Sequence, residues 1–91
     1  MPIQQARYTL GTAEATKVIA ADSLPSLVFV HNAEHASSTI VYLGNADVTS
    51  ADGMHLHSDE TLNFTIGPGD ELWALSAAGT PVLQIMRIVQ D

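Results

Sequence analysis

Along much of this chain apolar residues return at every second position rather than every third or fourth. The clearest run is Glu60-Thr61-Leu62-Asn63-Phe64-Thr65-Ile66, in which Leu62, Phe64 and Ile66 fall on one side of an extended backbone and Thr61, Asn63 and Thr65 on the other. This alternation predicts a half-buried strand. Segments 16–20, 27–31, 39–43, 71–75 and 82–89 are rich in β-branched or aromatic residues and are bounded by turn formers, so they read as strands too. The stretches between them, 22–25, 31–37, 44–53, 67–70 and 77–81, carry the Gly, Pro, Asn and Asp that interrupt ladders and supply unusual backbone angles. No window of eleven or more residues keeps a helical stripe. The best candidate, 11–16, is too short for more than one helical turn.

Short strands at roughly 8–12-residue spacing predict an all-β domain, a small antiparallel β-sandwich or barrel of about six to seven strands. One domain spans 1–91, with residues 1–8, which lack strong periodicity, expected as an extended N-terminal arm. The last strand, 82–89, is apolar on both faces. It must be central in a sheet, or lie against a neighbouring subunit on its outer side.

Composition narrows the function. A chain of 91 residues with 46% hydrophobic content has a core but buries only about 60–65% of its unfolded surface, so association with a partner would add materially to its stability. Ten acidic residues face only Arg7, Lys17 and Arg87, a formal charge of −7. That balance argues against direct binding to nucleic acid or to anionic membranes. There is no cysteine, which removes disulfides, thiolate metal sites and thiol nucleophiles. The opening Met1-Pro2-Ile3-Gln4-Gln5 does not read as a leader and no apolar run is long enough for a helical span, so a soluble chain is expected.

Candidate chemistry is sparse. His55 and His57 project from one side of a strand with Glu60 nearby, a partial resemblance to the cupin metal motif. The spacing to Glu60 is short and no histidine follows His57 to complete the set, so both are read as solvent-facing and neither metal nor cofactor is expected. His31 and His35, flanking Glu34, read as loop residues that can tune an interface near neutral pH. No Gly-x-Ser-x-Gly elbow is present, and Gly67-Pro68-Gly69 is a turn rather than a phosphate loop. The adjacent acids Asp59-Glu60 and Asp70-Glu71 point opposite ways on a strand and sit at strand entrances. Trp73 reads as a core or subunit-interface residue; with Tyr42 on an exposed face it would instead make a sugar-binding platform. The chain is therefore expected to bind rather than to catalyse.

The most distinctive stretch is Val41-Tyr42-Leu43-Gly44-Asn45-Ala46-Asp47-Val48-Thr49-Ser50-Ala51-Asp52-Gly53, followed by Leu56-His57-Ser58-Asp59-Glu60-Thr61-Leu62 and Gly69-Asp70-Glu71-Leu72-Trp73-Ala74-Leu75. Together these resemble a pattern of small β-sandwich virion proteins of tailed bacteriophages, over roughly residues 25–90. In it Gly44 ends a strand, Asn45 and Asp47 cap turn amides, Gly53 takes a positive φ, and Gly67 and Gly69 form a later turn. The resemblance implies a structural component of a virion, foremost a capsid decoration or cement protein bound to the major capsid protein lattice as a homotrimer on the capsid exterior. A head–tail connector, tail or fibre-associated subunit is the alternative. Arg7, Tyr8, Trp73 and Met86 are the candidate interface residues, since Arg and aromatic side chains dominate interface hot spots.

Overall fold

The computed structural model describes residues 3–34 and 39–90. Among the described residues there are eight strands and no helix: β1 (Ile3–Thr9), β2 (Thr16–Ile19), β3 (Ser26–Asn32), β4 (Val41–Gly44), β5 (Met54–Leu56), β6 (Thr61–Ile66), β7 (Leu72–Ser76) and β8 (Val82–Val89). They form two four-stranded antiparallel sheets, β1-β8-β3-β6 and β2-β7-β4-β5. The first half of the chain pairs with the second half in reverse, β4 with β5, β3 with β6, β2 with β7 and β1 with β8. Rolling that long ribbon so that β8 also meets β3, and β7 meets β4, gives the strand order of an eight-stranded jelly roll. The all-β sandwich expected from the alternation is the observed architecture.

All six strands read from the sequence are present. Two more appear, and each had a local reason to escape notice. β1 was expected as a free arm, yet it pairs with β8 along its whole length, from Ile3 opposite Ile88 to Thr9 opposite Val82. Its inward positions Gln4, Ala6 and Tyr8 mix polar, small and aromatic types, so the period of two is hidden. β5 is three residues long, with only Leu56 buried. Segment 11–15 forms bends rather than a helical turn.

The core lies between the sheets. Val28, Val30, Leu83 and Ile85 of one sheet meet Val41, Leu43, Leu72 and Ala74 of the other, with Leu10, Val18, Ile19, Leu56 and Ile66 closing the ends. Asn32 is fully buried and clips the two sheets together: its amide nitrogen donates to the carbonyls of Thr39 and Leu56, each at 3.2 Å, and its Oδ1 accepts from the Glu34 N–H at 3.1 Å. Such satisfaction is what makes a buried amide tolerable. In β8 the residues Leu83, Ile85, Arg87 and Val89 point inward while Gln84, Met86 and Ile88 point outward. The strand is thus central, and its outer side remains apolar.

Candidate functional site

A sandwich has two outer faces, and in this one they are built differently. On the β2-β7-β4-β5 sheet the outward positions include Lys17, Trp73, Leu75, Tyr42 and His55. The chain covers this face with its own loop 44–53. Val48 is buried over Gly44, where an added Cβ would lie 2.9 Å from Val48 Cγ2. At Gly53 an added Cβ would meet Tyr42 Cβ at 2.7 Å and Val48 Cγ2 at 2.8 Å. Both glycines therefore allow the loop to lie flat on Tyr42, which is only 8% exposed. His55 stands edge-on to the Tyr42 ring at 4.9 Å. Lys17 and Glu71 bracket Trp73: Lys17 Nζ is 5.7 Å from the ring centroid and 3.2 Å from Glu71 Oε2, while the indole N–H donates to Glu71 Oε1 at 3.3 Å.

The loop is held by short-range bonds that polar side chains make to nearby amides. Asn45 Oδ1 accepts from the Asp47 N–H at 2.9 Å, as expected of a residue that mimics a turn. The second cap is Asp52 rather than Asp47: its carboxylate accepts from the Thr49 N–H and hydroxyl, each at 2.9 Å. The bond from the Thr49 amide, then that from its hydroxyl, hold the Asp52 carboxyl below the ordinary value. Gly53 does not take a positive φ; among the described residues Gly69, Gly79 and Asp59 do. Its requirement is close approach, not backbone handedness. Gly69 fills the turn after β6, where Asp70 Oδ2 accepts from the Gly67 N–H at 3.0 Å.

The outer face of the β1-β8-β3-β6 sheet has no such cover among the described residues. Register places three rows across it: Ile3, Ile88, Leu27 and Thr65; Gln5, Met86, Phe29 and Asn63; Arg7, Gln84, His31 and Thr61. Ile3 is 64% and Met86 41% exposed. A shallow depression of about 440 Å³ runs over Gln84 and Met86 between Arg7 and His31. None of these twelve positions is a carboxylate, although the chain carries ten acids. Asp59, at the corner, lies 3.6 Å from His31 Nε2, and His31 Nδ1 is 2.8 Å from Thr61 Oγ1.

Of the four residues expected at an interface, Arg7 and Met86 share this face. Tyr8 instead points inward and packs on the core, and Trp73 lies half-buried on the opposite face. Ile3, Phe29 and His31 belong to the surface as well, and only their register opposite 82–89 brings them there. His57 and Glu60 make a local turn, with Glu60 Oε1 accepting from the His57 N–H at 2.8 Å and lying 3.5 Å from His57 Nδ1. That backbone bond is the main reason the Glu60 carboxyl is held below its ordinary value. Among the described residues no three His, Cys, Asp or Glu side chains gather as a metal site. His35 lies outside the described residues. With Tyr42 beneath the loop, the Trp73 and Tyr42 sugar platform is not formed.

Comparison with known proteins bears on the fold. No protein-family model and no curated protein matches this sequence. A solved structure from work on Bacillus endospore appendages, described as forming a novel family of disulfide-linked pili, is similar over 99% of this chain and 87% of that one, with a TM-score of 0.61 and 12% identity. At that identity the likeness shows a shared fold. The crosslink in that description has no counterpart here, because this chain has no cysteine.

Proposed function

We propose that this chain is a structural subunit of a tailed-bacteriophage virion, a capsid decoration protein that associates with copies of itself through the outer face of β1-β8-β3-β6. The carboxylate-free, partly apolar surface carries the binding half of this reading. Exposed apolar patches mark interaction sites, and in a chain of charge −7 a self-contact has to avoid opposing carboxylates, which repel. The virion half is supported by the resemblance of residues 25–90 to small phage virion proteins.

Magnitude decides how such a subunit would be held. Four strands about 4.8 Å apart and seven residues at about 3.3 Å each make a face of roughly 400 Å². A stable interface buries about 800 Å² per partner, so this face alone sustains a modest contact. An oligomer, expected to be a trimer, then gains from multivalent attachment to the major capsid protein lattice on the shell exterior. The test is copy number in purified particles, measured by quantitative mass spectrometry against the major capsid protein. Hundreds of copies per particle are expected; about a dozen or fewer would replace decoration with a connector or tail role.

A further inference from the structure

Among the described residues the molecule holds a buried cation, Arg87, with no carboxylate paired to it. Arg87 sits on the inward side of β8 and is only 7% exposed. Its Nε donates to Ser26 Oγ at 2.9 Å and one terminal nitrogen donates to the Ala20 carbonyl at 2.6 Å. A guanidinium stays protonated at any ordinary pH and has five N–H donors. Burying it costs several kcal/mol unless charge and hydrogen bonds compensate. Here two neutral oxygens serve two of the donors, and the other terminal nitrogen, Nη2, has no hydrogen-bond partner among the described residues. Because no buried side-chain nitrogen among the described residues lacks a partner, Nη2 is not sealed in.

Arg87 also lines a cleft. Between the edge strands β1 and β2, where the two sheets part, lies a cavity of about 200 Å³ with Arg87 in its wall. Gln4 is directly opposite Arg87 on β1 and contributes an amide; Ala6, Val18 and Ile85 make apolar walls, and Tyr8 lies beyond. No acidic residue lines it, in a chain where acids outnumber Lys and Arg by ten to three. A buried positive charge, a neutral amide donor and short aliphatic walls suit one ligand chemistry: a carboxylate on a short aliphatic stem.

We propose that this cleft is a binding site for a carboxylate on a short aliphatic stem, with the carboxylate paired to Arg87 and the stem against Val18 and Ile85. Charge-assisted bonds of this kind are about twice as strong as neutral ones. The site is independent of the virion reading and of the outer sheet face.

Butyrate is a carboxylate on such a stem, so the probe is butyrate titrated into the isotopically labelled full chain and followed by NMR, with butanol and chloride at matched ionic strength as controls. Saturable shifts of the Arg87 Nε–H and of the Gln4, Ala6 and Ala20 amides are expected, at a concentration at least tenfold below any effect of butanol. Arg87→Lys should weaken the site and Arg87→Met abolish it. Since Arg87→Met also removes a buried bond to Ser26, Gln4→Ala, at an exposed edge position, serves as the second variant and should weaken butyrate several-fold while leaving the spectrum folded. Linear shifts without saturation, equal response to butanol, or shifts mapping away from β1, β2 and β8 would overturn the proposal.

Discussion

The two sheets bury similar inner faces and present opposite outer ones. On β2-β7-β4-β5 the chain folds a ten-residue loop over Tyr42, brackets Trp73 with an ion pair, and ends the sheet with short edge strands, β2 of four residues and β5 of three. On β1-β8-β3-β6 no described residue covers the outer face, and the edge strands β1 and β6 run seven and six residues. β6 carries no charged residue. Short or charged edges discourage unwanted pairing, and long uncharged ones invite it. One sheet is thus covered within the chain, while among the described residues the outer face of the other is not. The same fold teaches that an exposed apolar residue has meaning only beside what the rest of the molecule took care to cover.

That contrast is open to direct attack. The largest effect should come from the covered face: Tyr42→Ala removes a ring packed beneath Val48 and beside His55, and should cost about 3 kcal/mol in urea unfolding. Met86→Ala on the open face should cost less than about 1 kcal/mol in the monomer, because that side chain is already partly in water. Equal costs would erase the distinction between the faces. Next in size, Gly53→Val forces a side chain into Tyr42 and Val48 and should destabilise by about 1–3 kcal/mol through overpacking, with Tyr42 becoming accessible to a fluorescence quencher.

The smallest effect concerns pH. Asp52 has a folded pKa below its unfolded value of 3.8, so its contribution is fully present above that value and is lost as pH falls through the folded one. Acid titration of unfolding free energy should therefore fall less steeply below about pH 4 in Asp52→Asn than in the parent chain. An unchanged slope would remove Asp52 from the clasp that holds the loop.

Much of the fold was legible because clean alternation marks β6, and runs rich in β-branched and aromatic residues between turn formers mark β3 and β8. Such signals were lost in β1, where Gln4 and Ala6 stand at inward positions, and in β5, where only Leu56 marks the core. The loop 44–53 was legible as a turn region with Asn45 as a cap, but Asp52 and the reason for Gly53 were not. Both depend on Thr49 and Tyr42 being brought close in space. The surface itself was half visible. A two-faced β8 pointed to Met86, whereas Ile3, Phe29 and His31 join it only through strand register. Arg87 was counted as one of three basic residues, and nothing in its local sequence distinguishes an inward arginine from an outward one.

The central claim, that the open face of β1-β8-β3-β6 is a self-association surface, is tested most directly by sedimentation velocity of the parent chain and Met86→Glu over a concentration series. The account predicts that the parent chain sediments as an oligomer at roughly 100 µM, well above a Kd of about 1 µM. Met86→Glu, which adds a like charge at the centre of the face, should be monomeric there, with an unfolding midpoint equal to that of the parent chain diluted below its Kd. A parent chain that stays monomeric throughout, or a Met86→Glu variant that assembles as well as the parent, would contradict it.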